Sequence, residues 1–117
     1  MSDAVKPNSI EAEFESGVYL RDLPEGTVLE VETEHHRYTI VIHVGGHALI
    51  SGHPRYCPEP IPVRIEGSTW GGSMLRLGFI GLGMRLAFEH PTYHAITTSR
   101  IVKVRPASQS SNTYQQQ

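Results

Sequence analysis

The side chains best suited to chemistry gather in the middle of the chain. Of seven histidines, His43 and His47 flank Gly45-Gly46, while His53 and Cys57 follow shortly after. Imidazole and thiolate are the usual ligands of zinc and related ions. On strands, ligands that share a metal stand two apart or meet across a hairpin. His43 and His47 meet that condition around the two glycines, and they are the metal candidates. No carboxylate or second cysteine completes a ligand set in this segment, and the His-x-His pair of a cupin metal centre is missing, so no cofactor is expected. Cys57 has Arg55 as its one nearby cation, and nothing in the sequence would depress its pKa as a nucleophilic thiol requires.

A second constellation is cationic and aromatic. Arg64, Arg76 and Arg85 fall on the polar sides of alternating segments. If the run after Gly67 folds as one hairpin turning at Ile80-Gly81 or Gly81-Leu82, Arg76 lies opposite or diagonal to Arg85. Like charges across a ladder are destabilising, and an anion would relieve them, since guanidinium presents a donor fork that suits carboxylate or phosphate. The alternative is an ordinary surface network with Glu30, Glu32, Glu66 or Glu89. Trp70 sits in a Gly/Ser stretch and Tyr56 in a proline-rich one. Aromatic rings in such settings bind a peptide, a proline-rich segment or a base, or Trp70 covers one open end of the fold. GSTWGGSM has the glycine spacing of a phosphate-binding loop at Gly67 and Gly72. It fails where that loop needs lysine, because Ser73 stands there, and a strand pattern follows instead of a helix. GFIGLG lacks the dinucleotide spacing. No pair of carboxylates stands out for acid/base work.

The elements that must position these groups read as strands. Leu29 and Val31 share a face opposite Glu30 and Glu32; Tyr38, Ile40, Ile42 and Val44 share another opposite Arg37, Thr39 and His43. Gly45-Gly46 matches a two-residue hairpin turn, and His47 to Ser51 follows as a strand. Gly52 to Pro62 holds four prolines and predicts an irregular connection. Ile61, Val63 and Ile65 alternate with Arg64 and Glu66. From Gly67 to Phe88, six glycines interrupt large apolar residues, with Leu75, Leu77 and Phe79 in one phase and Leu82, Met84, Leu86 and Phe88 in another. Glycine in a strand marks a bulge, a corner or a close backbone approach, and corners of a barrel are expected here. The last strand, Ala95 to Val104, shifts its apolar phase as if a bulge sat near Ser99. No internal repeat is apparent.

The chain of 117 residues with net charge −2 predicts one domain with no global field for nucleic acid or lipid. Residues 1–15 are expected to be a flexible acidic segment, with one helical turn pairing Ile10 and Phe14; residues 16–105 form the domain, and 106–117, rich in Ser and Gln, a disordered tail. A single cysteine suits a reducing compartment, and no apolar run reaches the roughly 18 residues of a membrane span, so a soluble cytoplasmic protein is expected. Six to seven short strands give an all-β fold. The expected form is a small, strongly bent barrel of the SH3-like or Sm-like kind, with an OB-like or cupin-like barrel as the alternative. This similarity is architectural and rests on no sequence motif. The function expected is a non-catalytic binding or assembly module: a homo-oligomer joined along an exposed edge such as Ala95 to Val104, or a binder of a protein or peptide through the Trp70 loop. The alternatives are single-stranded nucleic-acid binding by Arg64, Arg76 and Arg85 with Trp70 or Tyr56 stacking, and a metal-dependent barrel enzyme.

Overall fold

Alternation of apolar and polar residues becomes nine antiparallel strands in the computed structural model, which describes residues 14–72 and 74–107. They are β1 (Gly17–Tyr19), β2 (Val28–Thr33), β3 (Arg37–Ile42), β4 (His47–Ser51), β5 (Ile61–Gly71), β6 (Met74–Leu77), β7 (Phe79–Gly81), β8 (Arg85–His90) and β9 (His94–Pro106). No α-helix occurs among the described residues, and no helix there is long and apolar enough to cross a membrane. The expected helical turn at Ile10 lies outside the described residues, as does the tail expected over 106–117 except for its first two residues, and those are ordered: Pro106 ends β9 opposite Leu29, and Ala107 N–H donates to the Val28 carbonyl at 2.8 Å.

In hydrogen-bonded order the main sheet runs β4-β3-β2-β9-β8-β5-β6, and β4 also pairs with β5. Six strands therefore close a ring, and β6 stands outside it. The alternating faces of β2 and β3 bury Leu29, Val31, Tyr38, Ile40 and Ile42 as the sequence predicts, and these meet Ile50, Ile65, Leu86, Phe88, Ile101 and Val104 in one core. Val44, expected on the buried face, is exposed. The hairpin closes one residue earlier than expected, with His43 N–H donating to the His47 carbonyl at 2.8 Å and Val44-Gly45-Gly46 forming the turn.

The largest departure lies between Gly67 and Phe88. The expected single hairpin does not form. β5 continues straight through Gly71 and pairs with β6 on one side and β8 on the other, so β6 and β8 are separated by a strand. The chain leaves the main sheet at Gly78, whose φ of +67° is left-handed and turns the next residues aside. β7 then pairs with β1 instead. Leu75 and Leu77 thus end up outside, although they share the phase of the buried Phe79. Close approach, one of the readings for these glycines, applies at Gly67: a β-carbon there would collide with the Arg76 carbonyl.

The bulge expected near Ser99 is present. Arg85 pairs with Arg100 and Ala87 with Thr97, so β9 carries one more residue than β8 across this interval. The Thr98 hydroxyl fills the gap, accepting from Leu86 N–H at 3.0 Å and donating to the Ser99 carbonyl at 2.7 Å. The two halves of β9 pair with different strands, His94 to Arg100 with β8 and Ile101 to Pro106 with β2.

Candidate interaction surface

β6 is the element most open to a partner. Its neighbour is β5 alone, and none of its four residues is buried. Met74 is 68 % exposed, Leu77 73 % and Leu75 40 %, with Trp70 at 59 % on the adjoining strand. Successive strand residues point to opposite faces, so apolar surface is bare on both sides of this edge. Trp70 lies against the backbone of Gly83, where an added β-carbon would come within 3.2 Å of its ring. With Met74, Leu75, Arg76 and Met84 it lines a hollow of about 330 Å³. Trp70 is therefore neither a core residue nor a closed lid, and its indole is presented to solvent.

Arg76 is held by the fold. Its guanidinium donates to the Tyr19 hydroxyl at 2.8 Å and lies 4.3 Å from the Phe79 ring centre. Arg85 donates to the Thr98 carbonyl at 3.3 Å, and Arg64 lies 3.7 Å from the Glu66 carboxylate. Arg76 pairs with Ser68 and Arg85 with Thr69, adjacent residues of one strand, so the two arginines leave opposite faces of the sheet. The residue across from Arg85 is Arg100, on β9, and not the expected Arg76. One cationic face comprising Arg64, Arg76 and Arg85 does not form, because the hairpin that would have joined the last two does not.

His43 and His47 pair through their backbones at the foot of their hairpin, but their side chains do not converge on one site as the metal reading needs. The His43 Nδ1 turns away to the Glu25 carboxylate at 3.5 Å, beside a hollow of about 540 Å³ floored by Leu20, Leu23 and Ile65. His47 borders a different and more open hollow with Arg64, Glu89, His90 and His94. Among the described residues no three His, Cys, Asp or Glu side chains converge as a metal site would require. Cys57 is fully buried, and burial pushes its thiol up, partly offset by a backbone hydrogen bond at His53; both are the opposite of a reactive thiolate. The stretch that imitates a phosphate loop forms the β5–β6 hairpin, with no helix following it.

Tyr56 belongs to a cluster built from a short repeated pattern. The tetrapeptide His-Pro-x-Tyr occurs twice, at 53–56 and at 90–93, and both copies fold alike. Nδ1 of His53 accepts from the N–H of Arg55 at 3.0 Å and of Tyr56 at 3.3 Å. Nδ1 of His90 accepts from the N–H of Thr92 at 2.9 Å and of Tyr93 at 3.1 Å. The two turns face each other: His90 Nε2 donates to the Tyr56 carbonyl at 2.8 Å, and the rings of Tyr56 and Tyr93 meet edge-on at 5.1 Å. His36 stacks on the far side of His53 at 4.1 Å. The signal was in the sequence as a repeated four-residue pattern, too short to register as a repeat.

No protein-family model, no curated protein and no solved structure matches this chain.

Proposed function

We propose that this chain is a non-catalytic assembly module, a small, strongly bent barrel of the SH3-like or Sm-like kind that joins a second copy of itself by pairing β6 strands. The closed order of six strands supports the barrel form, and a single, buried, unpaired cysteine suits work in the reducing cytoplasm. The observation that carries the function is the state of β6: an edge paired on one side alone, with bare apolar side chains on both faces, no proline, and one charge, Arg76, whose guanidinium is drawn back onto Tyr19 and Phe79. Natural monomers blunt such edges with charge, proline or cover, and here an added strand supplies the cover. Antiparallel self-pairing about a twofold axis at Leu75 sets Leu75 against its own copy and Met74 against Arg76, residues that share a face. Arg76 never meets its own copy in that register, so no like-charge pair opposes it. The dispersal of Arg64, Arg76 and Arg85 lends the nucleic-acid alternative no support.

Light scattering over a concentration series tests this reading, comparing the native chain with Leu75→Lys/Leu77→Lys. The native chain is expected to approach dimer mass and the double variant to remain monomeric with unchanged melting. A native chain that stays monomeric at about 100-fold above the micromolar range of weak complexes, or a variant that dimerises equally well, refutes it.

A further inference from the structure

We propose that the two His-Pro-x-Tyr turns form a proton-operated latch: each closes only while its imidazole Nδ1 is an acceptor, so acidification opens the 52–60 segment and uncovers Cys57. Each Nδ1 accepts two backbone N–H groups. A protonated imidazole donates at both nitrogens, so it faces its two N–H groups with a third donor and loses both bonds. The turns are also coupled, since His90 Nε2 donates to the Tyr56 carbonyl, which belongs to the other copy. Opening one turn therefore withdraws a partner from the second.

The surroundings of each imidazole fit this behaviour. His53 is faced by His36 from the β2–β3 turn, by Tyr38 from β3, and by Arg55, Tyr56 and Cys57 from its own segment. Neither His36 nor Arg55 welcomes a new positive charge. Burial, His36 and Arg55 together lower the His53 pKa below its ordinary value. His90 is buried beneath Tyr93 and Tyr56 and borders the hollow with His47 from β4, Arg64 from β5, Glu89 of its own strand and His94 of β9. Glu89 is the one anion there, and it lies 3.4 Å from His94. Cys57 depends on the first turn for its cover: its N–H donates to the His53 carbonyl at 3.0 Å, and its carbonyl accepts from Gly52 N–H at 2.9 Å. The opened segment binds a proton at His53 near the ordinary histidine value of about 6.5 and the closed one resists it. Opening is thus favoured as pH falls below that value, by up to about tenfold per pH unit for His53.

The test is labelling of Cys57 by 4,4′-dithiodipyridine between about pH 7.5 and 5, a window that spans the ordinary histidine value, each rate divided by that of the urea-unfolded chain at the same pH. His53→Asn keeps a side-chain acceptor for the turn N–H groups but cannot take a proton. The ratio for the native chain is expected to rise at least about tenfold across the window, the rise for His53→Asn to be shallower, and that for His53→Asn/His90→Asn to be flat. A native ratio that stays flat overturns the latch. So does a His53→Asn chain that rises as steeply as the native one, or a rise that coincides with loss of the far-ultraviolet strand signal, which would mean global unfolding.

Discussion

Replacing Ser68 by alanine should cost far more than the loss of one small hydroxyl normally does. Ser68 is fully buried in β5, where its hydroxyl donates to the Phe79 carbonyl at 2.6 Å and accepts from the Gly81 N–H at 3.1 Å. These two bonds tie β7, and through it β1, to the main sheet, two residues from Trp70 on the same strand. Alanine leaves a buried carbonyl and a buried N–H without this partner, and each such orphan costs about 1–3 kcal/mol. A loss of about 2–4 kcal/mol is expected, and 2 kcal/mol alone lowers the melting temperature of a domain this size by roughly 10 °C. Urea unfolding followed by circular dichroism measures it, with Thr27→Ala as the control. Thr27 also donates its hydroxyl to a carbonyl, that of Pro24 at 2.6 Å, but at an exposed site where water replaces the lost bond, so its loss should stay below about 1 kcal/mol. Equal losses in the two variants would refute the claim that burial of the orphaned groups sets the difference.

Other consequences follow from single positions. Gly67→Ala places a β-carbon on the Arg76 carbonyl at a φ of +149°; a loss of about 2 kcal/mol or more is expected in urea unfolding, with β6 amides exchanging faster. The Tyr38 hydroxyl is pushed up to about 12, first by burial and then by Cys57 and Tyr56. The unfolded chain ionises that phenol near pH 10 while the folded chain holds its proton, so the contribution to stability is complete below pH 10 and lost as pH rises toward 12. Unfolding at pH 9 and 11 should differ less in Tyr38→Phe than in the native chain.

Much of the fold is legible in the residues, and the part that is not has a definite cause. Period-two alternation states which residues share a face, as it does for Leu29 and Val31 or Tyr38, Ile40 and Ile42, and the phase break at Ser99 locates a real bulge. Alternation does not state which strand lies alongside. Leu75, Leu77 and Phe79 keep one phase, yet the left-handed Gly78 between the last two sends Phe79 inward to a different pair while leaving the leucines bare. The arginine face expected from Arg76 and Arg85 disappeared with that hairpin, and Arg100 took the position across from Arg85. Trp70 was legible as a residue to watch because glycine surrounds it, although its seat on Gly83 depends on a tertiary contact. The two His-Pro-x-Tyr turns were readable in principle, since histidine before proline with tyrosine two further on occurs at both places; their mutual packing through the Tyr56–Tyr93 and His90–Tyr56 contacts, between segments far apart in the chain, was not.

The central claim, that β6 is where two copies meet, is most directly tested by isotope-filtered nuclear Overhauser spectroscopy on an equal mixture of labelled and unlabelled chains. Twofold antiparallel pairing predicts contacts from Leu75 of one copy to Leu75 of the other, and from Met74 to Arg76. An associated sample whose intermolecular contacts fall elsewhere, or a sample with none, would contradict it.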